Sequence, residues 1–176
     1  MNKTKLFLAL VAFLSLTQAY AGSDRGNMFG IAQSLSKTSD PSTSTLGLDF
    51  IYKWNFMWVE VGPTLNAAYV SADGASAWIA RAGLQVDLNI FRNMTGNNVV
   101  PGVRLLGDYG FQGGSSTEAS NVHPTTLGGD VFFKFFPFAF PVAIDLAAGV
   151  RQLSSGVSGA TAVTSIRQTL GFSFYF

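Results

Sequence analysis

The chain has 176 residues, of which 48% are apolar and only 12% charged, roughly half the charged share usual for a soluble globular domain. That balance, with 19 glycines and 16 phenylalanines, argues against a disordered tail, a coiled coil and a basic nucleic-acid binder. With no cysteine and a single histidine, His123, no disulfide framework, no metal site and no cofactor is expected.

Lys3 and Lys5 form a positive start, Leu6 to Leu16 is apolar, and Ala19-Tyr20-Ala21 has the small-x-small form of a signal-peptidase site. These features predict a signal peptide over 1–21, cleaved after Ala21. The apolar run is shorter than the about 20 residues a membrane-spanning helix needs, so it reads as a signal and not an anchor. Residues 22–176 then form a single domain with nine basic and ten acidic side chains, and the precursor's net charge of +1 says nothing about partners.

From there the chain alternates with the two-residue period of strands that have one apolar and one polar face. The first strand, Asn27 to Ser36, places Phe29, Ile31 and Leu35 together. Leu46 to Tyr52 places Leu46, Leu48, Phe50 and Tyr52 against Gly47, Asp49 and Ile51. Met57 to Tyr69 sets Val59, Val61, Pro63 and Leu65 against Glu60, Gly62 and Asn66. Trp78 to Ile90 sets Trp78, Leu84, Val86 and Leu88 against Arg81, Gln85, Asp87 and Asn89. Val99 to Gln112 opposes Val103, Leu105 and Tyr109 to Arg104, Asp108 and Gly110. Thr126 to Phe136 opposes Leu127, Val131, Phe133 and Phe135 to Asp130, Phe132, Lys134 and Phe136. Val142 to Arg151 carries Asp145 and Arg151 on its polar face, and Ile166 to Phe176 carries Arg167 on its own.

Eleven charges, Asp49, Glu60, Arg81, Asp87, Arg104, Asp108, Asp130, Lys134, Asp145, Arg151 and Arg167, therefore share the polar faces. The other eight after the signal, Asp24, Arg25, Lys37, Asp40, Lys53, Asp73, Arg92 and Glu118, are assigned to the tail and connections. With each strand phased by its apolar residues, strands carrying two charges place both on the same polar face.

An apolar face eight strands wide must be buried in a core or turned to lipid, and three lysines and two glutamates after the signal are too few for a soluble charged exterior. In lipid every backbone group needs a partner, so the sheet must close. The fold class is all-β: an eight-stranded antiparallel transmembrane β-barrel with a polar, side-chain-filled interior. Inward glycines at Gly47, Gly62, Gly83, Gly102, Gly110, Gly128, Gly149 and Gly171 leave room for the long charged side chains.

The links after the first, third, fifth and seventh strands are small and polar, whereas those around Tyr52 to Phe56 and Phe135 to Phe140 are short and aromatic. Aromatic residues gather at membrane interfaces and short turns on the periplasmic side, so both termini are expected in the periplasm. The phenylalanine cluster from Phe132 to Phe140 reads as part of that interface girdle.

At this point the chain resembles the small eight-stranded outer-membrane proteins of Gram-negative bacteria, such as the OmpA transmembrane domain and OmpX. The resemblance rests on the pattern and on the C-terminal Gly171-Phe172-Ser173-Phe174-Tyr175-Phe176, whose Gly171, Phe174 and terminal Phe176 are similar to the signal read by the barrel-assembly machinery. It implies a bacterial outer-membrane location and contact with lipid and lipopolysaccharide. Transient periplasmic chaperones and assembly machinery are its other implied partners, with a monomeric state and no nucleic-acid partner. Because the chain ends at Phe176, the peptidoglycan-binding domain of OmpA-like proteins is not expected. Some barrels of this size modify lipid A with a histidine, a serine and an acid. Here His123-Pro124-Thr125 departs from the His-x-Ser pattern, with only Ser115, Ser116 and Glu118 nearby, so no catalytic residue is assigned. Two functions stay open: a non-enzymatic structural or surface-interaction barrel with a salt-bridged lumen, and a narrow channel or transporter of small hydrophobic molecules.

Two features depart from this frame. Pro63 falls mid-strand, where it removes a ladder donor, and predicts a bulge or a shifted register. Gln33 and Gln168 face outward and are expected to pair across the seam between the first and last strands.

Overall fold

The computed structural model describes residues 25–176 apart from 40–41, 73–74, 95, 115–122, 138–140 and 155–160. The signal segment 1–21 lies outside the described residues, as do Asp24, Asp40, Asp73, Ser115, Ser116 and Glu118. The strands are β1 (Met28–Ser39), β2 (Ser42–Asn55), β3 (Val59–Ala72), β4 (Ala75–Asn89), β5 (Val99–Gly114), β6 (Thr125–Phe135), β7 (Val142–Ser154) and β8 (Val163–Tyr175). Each pairs antiparallel with the next, and β8 pairs with β1, so the sheet is a closed barrel.

Starting from Val59, the register runs through Leu88, Val103, Val131, Ala148, Gln168, Leu35 and Leu46 and returns to β3 at Tyr69, ten residues further along. With about 3.3 Å per residue and about 4.8 Å between strands, that stagger tilts eight strands by roughly 40°. At this tilt about 10 residues cross a hydrocarbon band about 25 Å tall, and even the shortest strand, β6 with 11 residues, is long enough.

Alternation along each strand decides what faces out. Leu48, Leu65, Leu84, Leu105, Val131, Leu146 and Leu170, one from each of seven strands, stand exposed on the outside, while Asp49, Asp87, Arg104, Asp130 and Arg151 are buried within. This exterior suits hydrocarbon and would not suit water.

The strands run past the sequence-derived boundaries, mostly at the end away from the termini, where Ser71 pairs with Ser76 and Ala72 with Ala75. Apolar alternation stops marking a strand once its outward residues leave the hydrocarbon, although the ladder continues. The same extension corrects two assignments. Lys53, read as a turn residue, lies in β2, points inward and is fully buried. Lys37, read as part of a connection, lies in β1 and is exposed on the outer face.

The expected bulge at Pro63 is not present. Ile51 pairs with Thr64 and Trp54 with Val61, so the β2–β3 register is the same on both sides of a short gap opposite Gly62 and Pro63. On its other side Pro63 pairs normally with Leu84. The barrel accommodates the missing donor by opening two rungs of one ladder without inserting a residue.

Gln33 sits opposite Leu170, and Gln168 opposite Leu35, on successive outward rungs of the seam. No hydrogen bond joins the two amides among the described contacts, so the expected pairing is not observed. The phenylalanine cluster also divides: Phe133 and Phe135 are exposed outside, whereas Phe132 and Phe136 are buried in the lumen, and 138–140 lie outside the described residues.

Candidate functional site

The lumen has two halves of different construction: the terminal half, at the end carrying both chain termini, and the distal half opposite. In the terminal half three cations and two anions form one cluster. The Asp87 carboxylate receives Lys53 Nζ at 2.5 Å, Lys134 Nζ at 3.2 Å and a two-point contact from Arg104, Nε at 2.9 Å and Nη2 at 3.2 Å. Gln85 Nε2 donates to it as well, at 3.1 Å. Glu60 Oε1 accepts from Lys134 at 2.5 Å, Asn93 at 2.6 Å and Asn89 at 3.1 Å, and Tyr175 donates to Oε2 at 3.4 Å. Lys53, Glu60, Asp87 and Lys134 have no exposed side-chain surface.

The strands place these groups at matching heights. Glu60 pairs with Asp87 across β3–β4, Asp87 with Arg104 across β4–β5, and Lys134 with Asp145 across β6–β7. Asp145 accepts a hydrogen bond from Ser173, and the Phe132 ring lies 5.1 Å beneath the Arg104 guanidinium and 4.8 Å from Lys134 Nζ. Gly102 makes this ring position possible, because a Cβ there would stand 2.3 Å from Phe132 Cζ. Charges removed from water this completely are tolerable only when each finds partners.

The terminal mouth is closed by turns folded inward. Met57 adopts a left-handed φ of 64° in the turn between β2 and β3, with its N–H bonded to Asn55 Oδ1 at 2.9 Å. Its carbonyl accepts from Asn89 Nδ2 at 2.8 Å and from the Asn93 N–H at 2.9 Å, which draws the β4–β5 turn over the lumen. Arg25 completes the cover, donating to Asn93 Oδ1 at 3.3 Å and the Asn97 carbonyl at 2.9 Å with its guanidinium 3.1 Å above the Phe136 ring. Burial lowers its pKa to about 10, despite the opposing pull of Tyr175 and Glu60.

The distal half is looser. Arg151 contacts Asp130 with both Nη groups at 2.6 Å, and Arg167 reaches Asp49, which also accepts from Asn66 at 2.7 Å. Arg81 stands 3.7 Å from Asp108 without a hydrogen bond. Between them is a cavity of about 170 Å³ lined by Arg81, Asp108, Arg151 and Arg167 together with hydroxyl side chains.

All eleven sequence-selected charges thus point into the lumen, but they form two groups: Glu60, Asp87, Arg104, Lys134 and Asp145 below, and Asp49, Arg81, Asp108, Asp130, Arg151 and Arg167 above. Arg81 and Asp87, which share the polar face of β4, stand six residues and about 20 Å apart along the strand and fall in different groups. Lys53, Arg25 and Asn93 were missed. Lys53 keeps the parity of Asp49 and Ile51 and could have been found by extending β2, whereas nothing local marks Arg25 or Asn93, which arrive from a tail and a turn.

Of the C-terminal residues, Gly171 pairs with Ala32 across the seam, where a Cβ would stand 2.5 Å from the Ala32 Cβ, Phe174 faces outward opposite Phe29, and the Phe176 N–H bonds the Asn27 carbonyl at 2.9 Å. His123 is exposed, stacked on Tyr109 at 5.6 Å and edge-on to Phe111 at 5.3 Å. Among the described residues no group of three or more histidine, cysteine or carboxylate side chains could hold a metal ion.

No protein-family model and no curated protein sequence matches the chain. Solved structures do. Neisserial surface protein A aligns with a TM-score of 0.60 at 13% identity, covering 85% of this chain and 96% of that one. The outer membrane enzyme PagL aligns at 0.51 and 13% identity, covering 84% and 99%. The N-terminal β-barrel domain of Pseudomonas aeruginosa OprF aligns at 0.50 and 12% identity, covering 87% and 100%. The chain has the fold of the small eight-stranded outer-membrane β-barrels.

Proposed function

We propose that the protein is a non-enzymatic integral barrel of the bacterial outer membrane that seals its own lumen and serves a structural or surface-interaction role. The observation that carries this reading is the terminal half of the lumen, where the Glu60–Lys134–Asp87–Lys53 chain fills the bore under the lid made by Arg25, Asn93 and Phe136. An ion would have to displace charges that are already paired, at a cost of several kcal/mol for each one left alone. Planar-bilayer recording on the purified barrel tests this: silence is expected, and steady conductance steps would overturn it in favour of a narrow channel.

The termini lie in the periplasm and the distal mouth faces outward in this reading, with exposed aromatic residues at both membrane boundaries, Trp54, Phe56, Trp58 and Phe91 at the terminal end and Tyr69, Trp78, Tyr109 and Phe111 at the distal end. Because the chain lacks cysteine, Thr161→Cys and Asn98→Cys give clean single labels. In intact cells a membrane-impermeant maleimide should reach the first and not the second. Gly171, Phe174 and Phe176 act in assembly, with periplasmic chaperones and the barrel-assembly machinery as transient partners and lipopolysaccharide as the outer neighbour.

Although one structural neighbour is an outer membrane enzyme, the stacking of His123 between Tyr109 and Phe111 favours a structural histidine over a general base. His123→Ala should leave lipid A acyl chains unchanged by mass spectrometry.

A further inference from the structure

Unpartnered buried polar atoms concentrate around the distal cavity. They include the Nε of Arg81, Arg151 and Arg167, together with Asp108 Oδ1 and Asn66 Oδ1, and all five side chains line that one space. In the terminal half the corresponding atoms are Asn89 Oδ1 and Asp145 Oδ1. Buried polar groups normally find partners, and most of the exceptions among the described residues belong to side chains of this one wall.

Its chemistry is lopsided. Three guanidinium groups and one carboxylate belong to its wall; each guanidinium also pairs with an aspartate, Arg81 with Asp108, Arg151 with Asp130 and Arg167 with Asp49, and the last two aspartates stand behind the wall. Arg151 commits both Nη groups to Asp130 and is 4% exposed, whereas Arg81 stands 3.7 Å from its acid, beyond hydrogen-bond distance. An occupant must supply several acceptor oxygens for N–H donors and one donor for Asp108 Oδ1, which faces Arg81 Nε at 3.7 Å without a hydrogen bond. The volume, about 170 Å³, equals five or six waters at about 30 Å³ each, which admits a tetrahedral oxyanion with a little water and excludes a whole nucleotide.

We propose that the distal lumen is a phosphate-binding site, in which Arg81, Arg151 and Arg167 hold the oxygens and Asp108 accepts the P–OH proton. A phosphate still bearing one proton satisfies both requirements. Sulfate offers the same acceptors without the donor and sets an oxygen against a carboxylate. The ligand is inorganic phosphate or the phosphate end of a monoester whose remainder extends toward the distal mouth.

The experiment uses the full mature barrel in lipid nanodiscs, with arginine Nε–H resonances followed by NMR during separate titrations with inorganic phosphate, glycerol 1-phosphate and sulfate. Expected are saturable shifts with phosphate, at least tenfold weaker binding of sulfate, and at least a tenfold loss in Arg81→Gln. Asp108→Asn should bring phosphate and sulfate together, a change that loss of structure alone would not produce. Equal saturation by glycerol 1-phosphate assigns the site to monoesters, and saturation by inorganic phosphate alone assigns it to the free ion. Arg81→Lys keeps the charge if Arg81→Gln does not fold, and should retain part of the affinity. Shifts that never saturate across the millimolar range, or equal binding of sulfate and phosphate by the unaltered barrel, overturn the proposal and leave a cavity that holds water. Neither result bears on whether the terminal half conducts, so this site and the sealed lumen fail separately.

Discussion

The two halves of the lumen contain the same kinds of residues and use them differently. In the terminal half Lys53, Arg104 and Lys134 converge on Asp87 and Glu60, and both lysines and both acids have no exposed side-chain surface; in the distal half Arg81, Arg151 and Arg167 each turn to a separate aspartate around an open space. Charge alone therefore does not decide whether a barrel this narrow is filled. What decides it is whether the carboxylates are shared. Asp87 is shared by three cations and pulls three strands' side chains to one point, while one-to-one pairs can lie along the wall. The terminal half also has its turns folded over it, so its ions lose more hydration than those near the distal mouth and depend more on each other.

The largest expected effect tests that sharing. Asp87→Asn strands Lys53 and Arg104 in a dry site, leaving only Lys134 with its Glu60 partner, and should cost about 3–5 kcal/mol, read as a fall in the urea midpoint of the barrel in lipid. Asp108→Asn, which loosens a 3.7 Å pair near the cavity, should cost under about 1 kcal/mol, as partly hydrated pairs do. Equal costs would break the contrast between the halves.

A second pair of substitutions sharpens it at the backbone. At Gly62 an added Cβ would stand 2.0 Å from the Tyr52 carbonyl oxygen and 2.8 Å from Lys53 Cα, whereas at Gly47 its nearest atoms are the side-chain tips of Ser34 and Asn66. Gly62→Ala should cost about 2 kcal/mol or more and Gly47→Ala under about 1 kcal/mol, because a side chain can turn aside and a paired strand cannot. Differential stability by the same urea assay checks both.

Tyr175→Phe removes the long 3.4 Å donor to Glu60 and should cost only about 0.5–1 kcal/mol. The smallest effect belongs outside the lumen. Gln33→Leu and Gln168→Leu, singly or together, should be neutral or stabilising by about 1 kcal/mol, since each replaces an unpaired amide on the lipid face. A loss of heat-resistant folded mobility in either single variant would show instead that the amides do pair.

Much of this was legible in the residues. Strand parity put Asp49, Asp87, Arg104 and Arg151 inside because a two-residue period, once phased by leucines, leaves each charge one choice of face. Strand ends were less legible, since beyond the hydrocarbon the serines and threonines of β2 and β3 carry no face preference. Lys53 and Lys37 were misplaced for that reason. Pro63 misled in another way: its missing N–H is a local property, but whether a ladder bulges or opens depends on the flanking rungs.

The sequence by itself determined that the chain is an eight-stranded barrel with an apolar exterior and a charged lumen, because period and burial are encoded residue by residue. Only the tertiary structure decided which charges meet. The ten-residue stagger sets Glu60 beside Asp87 and Lys134 and carries Arg81 away to Asp108. It also lets a tail arginine and a turn asparagine, Arg25 and Asn93, close one end while the other keeps its cavity. Those contacts join residues up to 74 positions apart, and no local pattern records which strand will stand across the barrel.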